Sequence, residues 1–143
     1  MPEALVDANV LLGYRLKRDQ YHERAREIVV GMDRGELPSG QVTNYALVEV
    51  LNPIQKRAGD ERAAETLEFL RESRGFRVRH LAEEDFERGR ALFRRSSGVE
   101  LPDLVTVAYM RRRGLEYVYS FDDDFDRFDG ITRLTSATNP FAP

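Results

Sequence analysis

Hydrophobic and polar positions along this chain switch repeatedly between a short apolar run and a helical spacing. Ala4-Leu5-Val6 is an apolar run that stops at Asp7, and it predicts a short buried strand. Asn9 to Leu16 reads as a helix. Ala25, Ile28, Val29 and Met32 recur at helical spacing and predict a second helix over His22 to Asp33. Gln41-Val42-Thr43 is a strand candidate. From about Asn44, Ala46, Leu47, Val50, Leu51 and Ile54 mark another helix. Pro53 is expected to kink or divide it, because proline lacks a donor and clashes with the preceding turn. Asp60 is placed to cap the next helix, whose Ala63, Leu67 and Leu70 share a face. Phe76, Val78 and His80 alternate with Arg77 and Arg79, the pattern of a half-exposed strand. Glu83 to Arg95 predicts a helix with Phe86, Gly89 and Phe93 inward. Pro102 starts a helix that runs to Arg113. Tyr117 to Phe121 and Ile131 to Leu134 are the last strands.

Strands therefore alternate with helical segments. That order predicts an α/β fold of three layers, α/β/α, with a central and mostly parallel β-sheet. No repeat, linker or low-complexity tract interrupts it, so residues 1–143 read as one domain, with a C-terminal tail from about 136. The tail, with Asn139-Pro140-Phe141, is expected to fray. In such sheets ligands gather at the carboxyl ends of strands. Asp7 and Asp122 follow two of the strands.

Composition narrows the chemistry by removal. The 143 residues contain no cysteine and two histidines, His22 and His80. Disulfides, thiolate metal sites, cysteine nucleophiles and multi-histidine metal sites are thereby excluded. The histidines read as surface groups, and Tyr117 and Tyr119 as sheet packing. No apolar run approaches the roughly 20 residues that cross a bilayer, and the N-terminus lacks a signal-peptide pattern. A soluble cytoplasmic protein with no membrane role is the expectation. Net charge is -3, so it favours neither nucleic acid nor membrane. All the basic residues except Lys17 and Lys56 are arginine, a skew consistent with genome composition or with bidentate phosphate contacts.

The 25 carboxylates carry the informative signal. Most lie on charged helix faces, and four groups do not. Asp7 interrupts an apolar stretch, where an ionised carboxylate is costly unless it is paired or bound to metal; a helix cap is the plain alternative. Glu49 is a lone acid in an apolar helix, either paired with an arginine or turned toward solvent. Asp103 stands in the first turn of a helix, where negative charge also suits the dipole. Asp122-Asp123-Asp124-Phe125-Asp126 crowds acids at a strand end, a solvated turn in the plain reading. If Asp7, Glu49, Asp103 and Asp122 converge, their repulsion demands a hard divalent cation, Mg2+ or Mn2+. Two such ions about 4 Å apart are the standard device for in-line phosphodiester displacement.

Four motifs in order carry a resemblance. They are Val6-Asp7-Ala8-Asn9-Val10-Leu11-Leu12, the lone Glu49, Leu101-Pro102-Asp103-Leu104-Val105, and Tyr119-Ser120-Phe121-Asp122-Asp123-Asp124-Phe125. With spacings of 42, 54 and 19 residues between the four acids, the chain resembles the PIN domain family, which includes VapC-type toxin ribonucleases. The resemblance runs from Leu5 to about Leu134. It implies that Asp7, Glu49, Asp103 and Asp122 are catalytic and bind metal, with Asp124 as a further ligand. Asn9 and Ser120 become supporting polar groups, and Asp123 and Asp126 remain surface acids. The implied activity is metal-dependent hydrolysis of RNA phosphodiester bonds by the toxin of a toxin–antitoxin pair. The implied partners are RNA, a second copy in a homodimer, and a cognate antitoxin near the acidic pocket. Arg15, Arg18 and Arg111 are the candidate RNA-binding residues, although the run Arg111-Arg112-Arg113 also suits a helix end. Two departures from the family pattern are Pro53, one turn after Glu49, and Leu104, where a small residue is common.

Two other readings differ in class. A phosphoaspartate protein would use Asp7 as nucleophile, but a phosphatase of that kind wants an aspartate where Asn9 stands. A receiver domain would want paired acids after the first strand. A non-catalytic PIN-like module that binds RNA or protein is the stronger alternative, kept open by Pro53.

Overall fold

The computed structural model describes residues 2–143; Met1, the first residue of the expected domain, lies outside them. Five strands form one sheet in the order β3-β2-β1-β4-β5. They are β1 (Glu3–Val6), β2 (Ser39–Thr43), β3 (Phe76–Arg79), β4 (Tyr117–Tyr119) and β5 (Thr132–Leu134). All four pairings are parallel, with Leu5 beside both Gln41 and Val118. Six helices connect them: α1 (Ala8–Arg15), α2 (His22–Asp33), α3 (Asn44–Ala58), α4 (Asp60–Glu72), α5 (Glu83–Arg95) and α6 (Leu101–Arg113). A single 3-10 turn, Asp123–Arg127, follows β4. The expected α/β/α sandwich is therefore realised with a wholly parallel sheet. No helix among the described residues is long and apolar enough to cross a membrane.

Alternation along β1 builds the two cores. Ala4 and Val6 join a cluster with Val10 and Leu11 of α1, Ile28 and Met32 of α2, and Val50 and Ile54 of α3. Leu5, between them, points to the opposite face and joins Val107 and Met110 of α6 with Val118 and Phe125. A period of two is what lets one strand feed both layers. The strand order then fixes where a ligand sits. From β1 the chain winds toward β2 and β3 on one side, and from β4 toward β5 on the other. The crevice lies where the direction reverses, between the carboxyl ends of β1 and β4.

Several local expectations fall differently. Pro53 does not divide α3, which runs unbroken from Asn44 to Ala58. Its missing N–H leaves the Glu49 carbonyl without an intrahelical donor, on a stretch where Val48, Glu49 and Asn52 are exposed and water can donate to that carbonyl instead. Asp60 is the first residue of α4 rather than its cap: Gly59 holds that position, and the Asp60 carboxylate accepts from Gln55 Nε2 at 3.0 Å. Leu101 precedes Pro102 as the first residue of α6. Strand β4 ends at Tyr119, two residues early, because Ser120 and Phe121 turn into the site described below.

Phe93 is 51% exposed, not inward. The buried face of α5 is set instead by Gly89 and Asp85. A Cβ on Gly89 would stand 2.5 Å from Val105 Cγ2 and 2.8 Å from Val105 Cα, so α5 touches α6 backbone to backbone. Asp85 is 0% exposed and meets Arg112 through two hydrogen bonds, 2.7 Å from Nε and 3.0 Å from Nη2. It also accepts from Ala82 N at 2.7 Å. Burial pushes the Asp85 carboxyl up, and the Arg112 hydrogen bond, the Ala82 N–H and the guanidinium charge more than reverse that. Arg112 is thus committed to holding two helices together. The C-terminal residues are also tied down rather than frayed. Tyr119 Oη donates to the Thr138 carbonyl at 2.5 Å, Asn139 Nδ2 donates to the Glu36 carbonyl at 3.2 Å, and Phe141 packs edge-on against Tyr117.

Gly89→Ala should destabilise the chain by about 2 kcal/mol, the cost of forcing an extra methyl into a closed helix contact. Urea unfolding followed by circular dichroism reads this directly. An unchanged midpoint would mean that α5 and α6 are not in rigid contact at Val105.

Candidate active site

Asp7 is the residue that directly follows β1, and its extended backbone makes it the N-cap of α1. One carboxylate oxygen, Oδ1, accepts from Ala8 N at 2.9 Å. The other, Oδ2, accepts from Ser120 Oγ at 2.7 Å. The two readings of Asp7 are therefore compatible: the cap uses one oxygen and the neighbouring strand claims the other. Ser120 is fully buried at the end of β4. Its hydroxyl also accepts from Asn9 Nδ2 at 3.3 Å and from Asp122 N at 3.0 Å. Asn9 Oδ1 in turn accepts from Phe121 N at 3.2 Å. Asn9 and Ser120 thus stitch the first turn of α1 to the turn after β4, and they orient Asp7 and Asp122 together.

Asp122 caps the 3-10 turn, with Oδ1 accepting from Asp124 N at 2.9 Å. Asp103 reaches the same place from the first turn of α6. Carboxylate oxygens of Asp103, Asp122 and Asp124 lie within 4.8 Å of one another. Asp7 and Glu49 stand outside that tight group and are joined to it by charge. Burial pushes the Asp7 carboxyl up, the Ser120 and Ala8 hydrogen bonds pull it back, and the Asp122 charge pushes it up again. Asp103 is raised to about 8, first by burial and then by Asp7, Asp122 and Glu49. Glu49, exposed at the rim, is also raised, by desolvation and by the charges of Asp7 and Glu100.

This is a set of hard oxygen donors brought together against their own repulsion. Arg127 is the one cationic side chain paired with them among the described residues, at 3.7 Å from Asp124 Oδ1. The donor chemistry fits a hard divalent cation of the Mg2+ or Mn2+ type. Leu104, beside Asp103, is fully buried, so its extra bulk is taken up by the interior. Asp123 is exposed, and Asp126 pairs with Arg133 at 3.0 Å, as surface acids should.

The candidate RNA-binding arginines separate. Arg15 spends Nε on Thr66 at 2.9 Å and Nη2 on Glu65 at 3.4 Å, fastening α1 to α4. Arg111 donates to the Asp129 carbonyl at 3.3 Å and lies over the Phe128 ring, eight residues along α6 from Asp103. Arg18 is exposed. Of the histidines, His22 opens α2 with Nδ1 2.7 Å from the Gly13 carbonyl oxygen, and His80 is exposed. Two contributors escaped sequence reasoning. Glu100, the N-cap of α6, adds negative charge facing Glu49; its place directly before Leu101-Pro102-Asp103 was the available signal. Tyr21 stacks on Phe121 with centroids 4.4 Å apart, a contact across 100 residues that no local pattern announces.

Comparison with known proteins gives the family and the fold. The family model described as the PIN domain matches residues 4–131. No curated protein sequence matches the chain. Among solved structures, VapC20 of Mycobacterium tuberculosis, described as a sarcin–ricin loop cleaving toxin, has a TM-score of 0.74 at 23% identity, over 87% of this chain and 93% of that one. A toxin–antitoxin complex from Klebsiella pneumoniae has a TM-score of 0.63 at 22% identity, over 90% and 95%. VapBC2 from Rickettsia felis, bound to a DNA fragment from its promoter, has a TM-score of 0.69 at 10% identity, over 92% and 97%. At these identities the likeness is one of fold.

The Asp103 shift has a consequence for stability. Between its ordinary value of 3.8 and about 8, the folded chain holds a proton that the unfolded chain has released. Stability contributed there is present at low pH and is lost as pH rises through the window. In metal-free buffer, Asp103→Asn should therefore be near neutral at pH 5 and stabilising at pH 8, by roughly 2 kcal/mol after allowing for solvent screening. Thermal denaturation at the two pH values measures it. A variant equally destabilised at both would place Asp103 outside the strained cluster.

Proposed function

The chain belongs to the PIN domain family, and we propose that it is a Mg2+- or Mn2+-dependent ribonuclease that hydrolyses RNA phosphodiester bonds, the toxin of a toxin–antitoxin pair. The observation that carries this reading is the convergence of Asp103, Asp122 and Asp124, with Asp7 and Glu49 in electrostatic reach, at the reversal point of the sheet. Carboxylates crowded this closely destabilise a fold unless a cation joins them, so their retention is explained by function. The fold shared with VapC20 and with the toxin–antitoxin complexes supports the toxin assignment.

Asp103, Asp122 and Asp124 would hold the cation, and Asp7 would share it through the oxygen that Ser120 orients. When bound, the ion supplies Lewis acidity to a phosphate and to water. Asn9 and Ser120 keep the carboxylates aimed, because their hydrogen bonds fix both the α1 cap and the turn after β4. Glu49 faces the open side of the cleft. Its raised affinity for protons suits it to accept one from an attacking water and release it to solvent. The acidic cleft also defines what an inhibitor must offer. A cognate antitoxin would place a cationic side chain there, in competition with the metal. A homodimer and a cytoplasmic location follow from the same toxin reading.

Asp7→Asn should lower cleavage of a labelled single-stranded RNA in Mn2+ by about a hundredfold or more while leaving the fold intact. Gel-resolved cleavage and circular dichroism on one preparation read both. Undiminished cleavage by a clean preparation would remove the site assignment. Manganese calorimetry separates the non-catalytic alternative: the wild-type chain should bind and Asp103→Asn should bind more weakly, whereas no binding by wild type favours the inert module.

A further inference from the structure

A strongly cationic cleft of about 460 Å3 lies between the loop after α1 and the end of α3, lined by Leu16, Lys17, Arg18, Asp19 and Arg57. Lys17, Arg18 and Arg57 are exposed and form no ion pair among the described residues. What marks them is that they line one cleft. Eight of the twenty arginines, among them Arg26, Arg71 and Arg90 on helix surfaces, are by contrast paired with acids. Both lysines of the sequence also fall here, Lys17 in the cleft and Lys56 beside Arg57 in the last turn of α3. The one acid of the lining, Asp19, is committed to its own loop, where Oδ1 accepts from Tyr21 N at 2.8 Å.

The loop is built to hold these cations in place. Leu16 N bonds to the Leu12 carbonyl, Asp19 N to the Leu16 carbonyl and His22 N to the Asp19 carbonyl, all at 2.9–3.0 Å. Arg62 Nη2 donates to the Arg15 carbonyl at 3.2 Å. At its far end the Tyr21 ring stacks on Phe121, the residue between Ser120 and Asp122. The cleft is thus anchored to the acidic centre at one end. Along α3, eight residues separate Glu49 from Arg57, about 12 Å of helix. A polyanion leaving the acidic cleft along α3 meets Arg57 and then Lys17 and Arg18.

We infer that Lys17, Arg18 and Arg57 form a backbone-phosphate subsite that holds the RNA strand a few nucleotides from the scissile bond. The inference rests on the ribonuclease reading for its ligand. Cations without partners, grouped at one end of the active groove, match a strand of phosphates; contacts of this kind fix register without reading sequence. They also concentrate attraction for a polyanion at one place on a chain of net charge -3.

The test uses the full chain and a labelled 12-nucleotide single-stranded RNA in Mn2+. Binding is measured by anisotropy in an Asp7→Asn background across a KCl series, and cleavage in the otherwise wild-type chain. Lys17→Gln/Arg18→Gln/Arg57→Gln should weaken binding and raise KM by about tenfold, with kcat within about twofold. The slope of log Kd against log[KCl] should become shallower by about 2, near 0.7 for each lost phosphate contact. Arg26→Gln/Arg71→Gln/Arg90→Gln makes the same charge change elsewhere and should leave KM and slope unchanged. Wild-type KM and slope in the cleft variant overturn the subsite, as does an equal loss in the control. Loss of binding to a poly-glutamate peptide with RNA binding intact also overturns it, in favour of an acidic protein partner. A chain that binds RNA with this cleft dependence yet cleaves nothing keeps the subsite and removes the nuclease reading. Normal cleavage with an indifferent cleft variant does the reverse.

Discussion

The hydroxyl of Ser120 is the contact on which the rest of the site depends. It donates to Asp7 and accepts from Asn9 and from the backbone of Asp122, so one buried oxygen joins both strand ends that flank the reversal of the sheet. A parallel sheet leaves the ends of β1 and β4 as neighbours in register but does nothing to aim the side chains that follow them. Ser120 does that aiming. It is small enough to be wholly buried between the two ends, and its hydroxyl can donate once and accept twice. Alanine would preserve the volume and remove the orientation. Aspartate would add one more charge to a cleft already crowded with them.

That crowding sets a balance between stability and function. Asp7 is held by two hydrogen bonds and still has its proton affinity raised, because burial outweighs them. Asp103 lacks comparable hydrogen-bond donors and is raised to about 8. The difference follows from position. Asp7 caps a helix and meets a hydroxyl, whereas Asp103 sits within the first turn of α6 and faces mainly other acids. The fold sustains this strain because the elements carrying the acids are fixed elsewhere: β1 by two separate cores, and α6 by the Gly89–Val105 contact and the Asp85–Arg112 pair. A cation bound there would relieve the repulsion at the point where it is greatest.

Much of this was legible in the sequence, for identifiable reasons. Helix α2 was predicted with both ends correct because one amphipathic stripe, Ala25, Ile28, Val29 and Met32, spans it. Asp7, Glu49 and Asp103 were legible because each stood among apolar neighbours where an acid is out of place, and Asp122 because acids crowd a strand end there. Failures came where long-range contacts overrode local pattern. Phe93 looks inward by spacing, yet α5 turns to bury Gly89 and Asp85, since only glycine permits the close approach and only a buried acid can take both Arg112 donors. Asp85 read as a surface acid because its partner lies 27 residues away. Pro53 was judged by the rule for buried helix interiors, but the carbonyl it leaves free is on an exposed stretch. Glu100 and the Tyr21–Phe121 stack depend on elements far apart in sequence and had no local mark.

The overall charge hides two segregated populations. Acids concentrate at the strand ends, where their fields add. Eight of the twenty arginines are held against acids, most of them on helix surfaces, and inside the fold in the case of Arg112 and, in part, Arg15. A paired arginine contributes little field beyond its own neighbourhood, since its partner cancels it within a Debye length. The cations without an acid partner therefore shape what an approaching polyanion experiences. Net charge averages over all three groups and so reports none of them. The arginine skew is in the same sense uninformative about RNA, since paired and unpaired arginines count alike in it. Lys17 lines the cleft at the end of α3, and its compact ammonium on a flexible stem is free of the rigid pairing that a guanidinium fork favours.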